Sequence, residues 1–155
     1  MLDSVQSKER VEEILTRHQG MEGALLPILH AVQAEFGHVP QEVLPIIAKA
    51  LNISRAEVHG VMSFYHDFRD KPAGRHVIKL CRAESCQAMG AETLAAQAQN
   101  LLGVDWHGTT PDAKVTLEPV FCLGLCACGP AAIIDGKLIG RLTEAKLTQI
   151  IEGLK

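Results

Sequence analysis

The pattern of hydrophobic positions divides the chain into two parts with different periods. Over roughly the first seventy residues, apolar positions recur at the three- and four-residue spacing of amphipathic helices. Val11, Ile14 and Leu15 share one helical face, and a second helix is predicted from about 24 to 36, with Gly37 at its end. The first part is therefore predicted to be a helical bundle.

Two further helices are predicted in this part. The segment 43–51 is apolar but contains Pro45. Because proline lacks the backbone donor and clashes with the preceding turn, the helix either begins at Pro45 or kinks there. The next helix has a clear beginning, since Ser54 and Glu57 have the spacing of a capping box, in which each side chain accepts from the other residue's amide.

Aromatic residues follow this capping box at helical spacing, and half of the six aromatic residues lie there: Phe64, Tyr65 and Phe68. Such spacing favours packing in a core over a partner-binding stripe. The charged stretch 69–74 contains a proline and a glycine and is the predicted linker. The predicted domains are residues 1–72, a helical bundle for partner docking, and residues 73–155.

After residue 75 the pattern changes to short apolar runs that are typical of strands. The predicted elements are a strand over 76–80 that ends at Cys81, a helix over 90–102, a strand over 115–120, a hairpin over 132–139 and a closing helix capped by Thr143. Asp135-Gly136 suits the tight turn of the hairpin. The order of elements indicates a small α/β domain that resembles thioredoxin, so the fold class of the whole chain is predicted to be α+β.

Composition and charge exclude several classes of function. Hydrophobic residues make up 47% of the 155 residues, and 15 basic against 18 acidic residues give a net charge of −3. Without a positive field or basic stripe, nucleic-acid binding is not expected. The longest uncharged run, which includes 120–134, is broken by glycine and proline and is too short to span a membrane. With no apolar secretion signal at the N-terminus, we expect a cytoplasmic protein.

The five cysteines all lie between positions 81 and 128. Cys81 and Cys86 are separated by four residues, Cys122 and Cys126 by three, and Cys128 comes one residue beyond Cys126. Each pair is predicted to lie in a loop after a strand. Since a reducing compartment disfavours disulfides, the clustering indicates a metal centre or redox chemistry.

The spacing favours a [2Fe–2S] cluster over a zinc ion, although it leaves zinc open. Cysteine pairs that bind structural zinc most often have two residues between them. The C-x2-C patterns of ferredoxin and thioredoxin are also absent from the sequence. A thiol oxidoreductase that uses Cys126 and Cys128 is a third alternative, disfavoured because so close a pair forms a strained disulfide. The sequence also lacks the glycine-rich dinucleotide and Walker A patterns, so no nucleotide site is predicted.

The two cysteine pairs, the Cys122-Leu123-Gly124-x-Cys126-x3-Pro130 motif and the segment 63–68 resemble the thioredoxin-like [2Fe–2S] subunit family. That family includes the small iron–sulfur subunits of respiratory complex I and of NAD-reducing hydrogenases. The segments 23–30 and 59–61 and the additional Cys128 are most similar to its branch of gamma subunits from NAD-dependent, molybdenum-containing formate dehydrogenase.

The resemblance implies an N-terminal helical bundle followed by a thioredoxin-like [2Fe–2S] ferredoxin domain. It implies that Cys81, Cys86, Cys122 and Cys126 bind one [2Fe–2S] cluster and that Cys128 is not a ligand. It further implies two partners: a beta subunit that binds FMN and NAD, and an alpha subunit that carries the molybdenum cofactor. The chain itself is then an electron carrier that is not catalytic alone.

Overall fold

The computed structural model describes residues 4–154, with side chains from residue 8 onward. It forms two compact units, Met1–Pro72 and Ala73–Lys155. The first unit is helical, as predicted, and consists of α1 (Ser4–Arg17), α2 (Leu25–Phe36), a 3-10 turn (Gln41–Val43), α3 (Leu44–Leu51) and α4 (Arg55–Phe64). No helix within residues 4–154 combines the length and the apolar character that crossing a membrane requires.

Local signals in the sequence correctly placed the ends of these helices. Gly37 adopts a left-handed conformation after α2, with φ of 75°, and its amide donates to the Gln33 carbonyl at 2.8 Å. Pro45 lies in the first turn of α3, so the helix begins there instead of kinking. Both hydrogen bonds of the capping box are present, Glu57 N to Ser54 Oγ at 3.1 Å and Ser54 N to Glu57 Oε2 at 2.7 Å.

The expectation that all three aromatic residues pack in a core is wrong. Phe68 is buried, but Phe64 is 73% exposed and Tyr65 is 44% exposed. Phe64 is the last residue of α4 and comes two positions after the buried Met62, which places it on the opposite side of the helix, and Tyr65 is extended, so helical spacing does not govern its direction. The buried face of α4 is formed by Val58 and Met62 instead.

The second unit contains helices and one mixed sheet. Its elements are β1 (His76–Cys81), α5 (Glu84–Ala88), α6 (Ala91–Leu102), β2 (Val115–Val120), a 3-10 turn (Cys126–Cys128), β3 (Ala132–Ile134), β4 (Lys137–Ile139) and α7 (Glu144–Leu154). The strand order is β2-β1-β3-β4, in which β1 is parallel to β2 and antiparallel to β3. The predicted α+β class is confirmed.

The core of this unit lies between one face of the sheet and two helices. Ile78 of β1 is paired with Leu117 of β2, and both are fully buried against α6 and α7, where Ala98 and Leu147 are also fully buried. Because β1 and β2 run parallel, both strands end at the same edge of the sheet. The segments that leave them, which carry the two cysteine pairs, therefore begin side by side.

The hairpin between β3 and β4 is fastened to the beginning of β1 by Asp135. Its carboxylate accepts from His76 Nδ1 at 2.7 Å and from the Val77 amide at 2.9 Å. Partial burial opposes ionisation, but these hydrogen bonds and the charges of His76 and Lys137 outweigh it and lower the pKa of Asp135. Asp135 and Gly136 both have positive φ, as the predicted tight turn requires.

We predict that this carboxylate stabilises the fold in a pH-dependent way. A lowered pKa in the folded state contributes stability above the unfolded value of about 3.9, which is lost as the pH falls through the folded value. Urea unfolding of the metal-free chain should show Asp135→Asn less stable than the parent near neutral pH, with the difference shrinking below about pH 4. A difference that stays constant through acid would contradict this origin.

Candidate metal centre

The first cysteine pair lies at the end of β1 and in the helix that follows. Cys81 is the last residue of β1 and Cys86 lies within α5, and both are buried. The prediction that each pair lies in a loop is therefore wrong for Cys81 and Cys86, and Cys126 begins a 3-10 turn. Helix α5 has only five residues, too few for a hydrophobic period to reveal it in the sequence.

Three thiols of the predicted ligand set lie near one another. Burial raises the pKa of the Cys86 thiol, and a side-chain hydrogen bond with Cys81 and the proximity of Cys81 and Cys126 raise it further. The Ala131 amide, which donates to Cys86, acts in the opposite direction. The neutral form of the Cys86 thiol is thus favoured until a positively charged metal compensates the charge on its sulfur.

The second cysteine pair is exposed. Cys122 has a φ of 135°, a conformation that residues with a side chain rarely adopt and that costs on the order of 1–3 kcal/mol. Its Sγ accepts from the Gly124 amide at 3.4 Å, and Gly124 is itself left-handed with φ of 71°. The backbone between Cys122 and Cys126 is thus folded back on a sulfur atom.

Backbone amides are the hydrogen-bond partners of two of the cysteine sulfurs. Ala131 holds both members of the first pair, since its carbonyl accepts from the Cys81 amide at 3.0 Å and its amide donates to the Cys86 sulfur. A Cβ at Gly129 would lie 3.5 Å from Cys86 Sγ, so the backbone of this glycine packs close to the sulfur. Amide hydrogen bonds to sulfur are among the features that set the potential of iron–sulfur centres.

Cys128 differs from the other four cysteines in its surroundings. It is half-buried, and its backbone is held on both sides, by the Leu125 carbonyl at 2.8 Å and by the Arg141 amide at 2.6 Å. A Cβ at Gly140 would come within 3.0 Å of Cys128 Cβ, so the two segments are in close contact. These contacts are made by the backbone and Cβ of Cys128.

The chemistry of the donor set fits a two-iron cluster. A structural zinc site requires four donors around one ion, whereas a [2Fe–2S] cluster distributes four thiolates over two irons. Four thiols that follow neighbouring strand ends, with amide donors and no charged residue between 119 and 134, match the second requirement.

Sequence reasoning did not identify two contributors to this site. Ala131 is separated from Cys81 by fifty residues, and only the antiparallel pairing of β3 with β1 brings them together. Gln87, which follows Cys86, donates from its side-chain amide to the Arg82 carbonyl at 2.7 Å. The position of Gln87 next to a cysteine could have indicated its role, whereas nothing about an alanine in the sequence indicates the role of Ala131.

Known proteins share both the sequence pattern and the fold. The family model described as "Thioredoxin-like [2Fe-2S] ferredoxin" matches residues 11–155. A subunit of NADH-quinone oxidoreductase from Rhizobium meliloti is 33% identical over 96% of this chain and 88% of its own length. The alpha subunit of the NAD-reducing hydrogenase HoxS of Cupriavidus necator is 34% identical over 94% of this chain but only 24% of its own.

A solved structure extends the likeness to three dimensions. The crystal structure of an NAD+-reducing [NiFe]-hydrogenase in the H2-reduced state matches 84% of this chain and 22% of its own, with a TM-score of 0.71 and 25% identity. The family match covers both the helical unit and the sheet unit, and one [2Fe–2S] cluster is the cofactor that it implies. The chain therefore belongs to the thioredoxin-like [2Fe–2S] ferredoxin family.

Proposed function

We propose that this chain is the electron-transfer subunit of a cytoplasmic, NAD-dependent formate dehydrogenase complex. Its single [2Fe–2S] cluster would be bound by Cys81, Cys86, Cys122 and Cys126. The observation that supports the cluster is that the two cysteine pairs lie at the ends of the parallel strands β1 and β2, with Cys86 close to both Cys81 and Cys126.

The residues of the chain have separate parts in this function. The four sulfurs would bind iron, and the Ala131 and Gly124 amides would stabilise charge on the Cys86 and Cys122 sulfurs. When bound, such a cluster supplies one-electron transfer at a potential that its protein surroundings set. The first pair is buried and the second exposed, so electrons would enter and leave on the side of Cys122 and Cys126.

The hydride chemistry would take place in partner subunits. The sequence contains neither the glycine-rich dinucleotide pattern nor the Walker A pattern. We therefore assign FMN and NAD to a beta subunit and the molybdenum cofactor to an alpha subunit. The segments 23–30 and 59–61, together with the additional Cys128, support the formate dehydrogenase branch through their resemblance to its gamma subunits.

A second candidate is the equivalent subunit of an NADH-quinone oxidoreductase or an NAD-reducing hydrogenase. The Rhizobium meliloti and Cupriavidus necator relatives, which bear those names, are 33% and 34% identical to this chain. Either assignment keeps the same cluster and the same role for the four cysteines. The two candidates differ in the partner that supplies or accepts electrons.

Purification of the chain from its native cell with its bound partners would separate the candidates. We expect the assembly to reduce NAD with formate and to contain molybdenum and flavin. Reduction of NAD by hydrogen, or NADH-dependent reduction of quinone without formate activity, would favour the second candidate. An assembly without iron in this chain would contradict both.

A further inference from the structure

The segment between Cys81 and Cys86 is closed by one hydrogen bond between the residues that directly follow the two cysteines. Gln87 Nε2 donates to the Arg82 carbonyl oxygen at 2.7 Å. The backbone N–H of Gln87 also donates to the Ala83 carbonyl at 3.0 Å, and this bond belongs to the first turn of α5. The distance along the backbone from one cysteine to the other is thus set by a side chain as well as by the helix.

Arg82 ties this closed segment to three other parts of the unit. Its amide donates to the Val120 carbonyl at 2.7 Å, at the end of the strand that leads to Cys122. Its guanidinium pairs with Glu92 of α6 at 2.6 Å and lies 5.2 Å from the centre of the Trp106 ring. The Arg82 side chain is 26% exposed but that of Glu92 is 60% exposed, so the ion pair faces water and contributes little by itself.

We propose that Gln87 and Arg82 are positioning residues: Gln87 holds the first cysteine pair at ligand spacing, and the Arg82 side chain fixes that segment against Glu92 and Trp106. This inference rests on the ligand set of the proposed function. Groups that orient ligands from outside the coordination sphere typically change metal affinity by about 10–100-fold when they are removed. The expected consequence here concerns retention of iron, not the presence of a particular partner enzyme.

The two residues act through different groups, which makes them separable by mutation. Gln87→Met keeps the length of the side chain but removes the donor to the Arg82 carbonyl. Gln87→Glu replaces that donor with an acceptor that the carbonyl repels. Arg82→Met keeps the backbone bonds and removes the contacts with Glu92 and Trp106. Gln149→Met, on the exposed face of α7, is a matched control for the glutamine substitution.

The test measures iron release from the full-length, cluster-loaded chain in the presence of excess iron chelator. We expect Gln87→Met and Gln87→Glu to release iron about tenfold faster than the parent, and Arg82→Met to release it faster by a smaller factor. The electron paramagnetic resonance spectrum of the reduced chain should change in the same variants. The Gln149→Met control should match the parent in both measurements.

Parallel unfolding of the cluster-free chains distinguishes positioning from general stability. The inference is supported if release accelerates while the thermal midpoint of the cluster-free variant stays that of the parent. It is overturned if the Gln87 and Arg82 variants release iron at the parental rate. It is also overturned if the variants that release iron faster show a matching fall in the thermal unfolding midpoint of the cluster-free chain. A parent chain that holds no cluster would instead contradict the proposed function itself.

Discussion

Serine substitution at Cys81, Cys86, Cys122 or Cys126 is expected to remove most of the iron from the purified chain. Serine oxygen is a much poorer ligand for iron in such a cluster than thiolate sulfur, so each substitution should weaken the binding of one iron. The visible absorption and the iron content of anaerobically purified variants measure the loss. We expect the effect at all four positions, whether the cysteine is buried or exposed.

Cys128→Ser is the matched control, because it makes the same chemical change two residues from Cys126. Cys128 contacts the Gly140 segment and is held through its backbone, so its side chain can be exchanged without loss of a ligand. Iron content should stay near that of the parent. Loss of iron in this variant, with retention in any one of the other four, would show that the ligand set has been assigned wrongly.

Residues 73–155 expressed alone are expected to keep the cluster and to lose assembly with the proposed flavin-binding partner. All five cysteines lie in the unit Ala73–Lys155, which has a sheet and a hydrophobic core of its own. The first unit has a separate core and exposes Phe64 and Tyr65, which suits docking to a partner. Co-purification and iron analysis of the shortened chain measure the two properties together.

The full chain with Phe64→Ser is the control for this separation of roles. It should keep its iron and its fold, since Phe64 is 73% exposed, and should bind the partner more weakly than the parent. A shortened chain that still assembles would refute the docking role of the first unit. A shortened chain that is folded but colourless would show that the cluster depends on residues before 73.

Signals between near neighbours in sequence predicted the ends of elements well. The capping box of Ser54 and Glu57, the left-handed Gly37 and the turn at Asp135 each depend on residues within four positions of one another. The strand that ends at Cys81 was likewise evident from its apolar run. Such features can be read from sequence because their physical cause is contained in the local segment.

Features that depend on distant residues could not be predicted in the same way. The Ala131 amide reaches Cys86 only after β3 has paired with β1, and an alanine gives no chemical indication of this role. The positive φ of Cys122 is equally hidden, because cysteine has no preference for that conformation. Phe64 is exposed because it lies on the side of α4 opposite the buried Val58 and Met62, which the aromatic spacing did not show.

Metal and acid-labile sulfide analysis of the anaerobically purified parent chain shows whether the four sulfurs hold a two-iron cluster. If the four sulfurs hold one cluster, the chain should contain about two irons and two sulfides, with no stoichiometric zinc. The colour should bleach when dithionite reduces the centre. A colourless chain with one zinc ion, or one without any metal or sulfide, would contradict the assignment of an electron carrier.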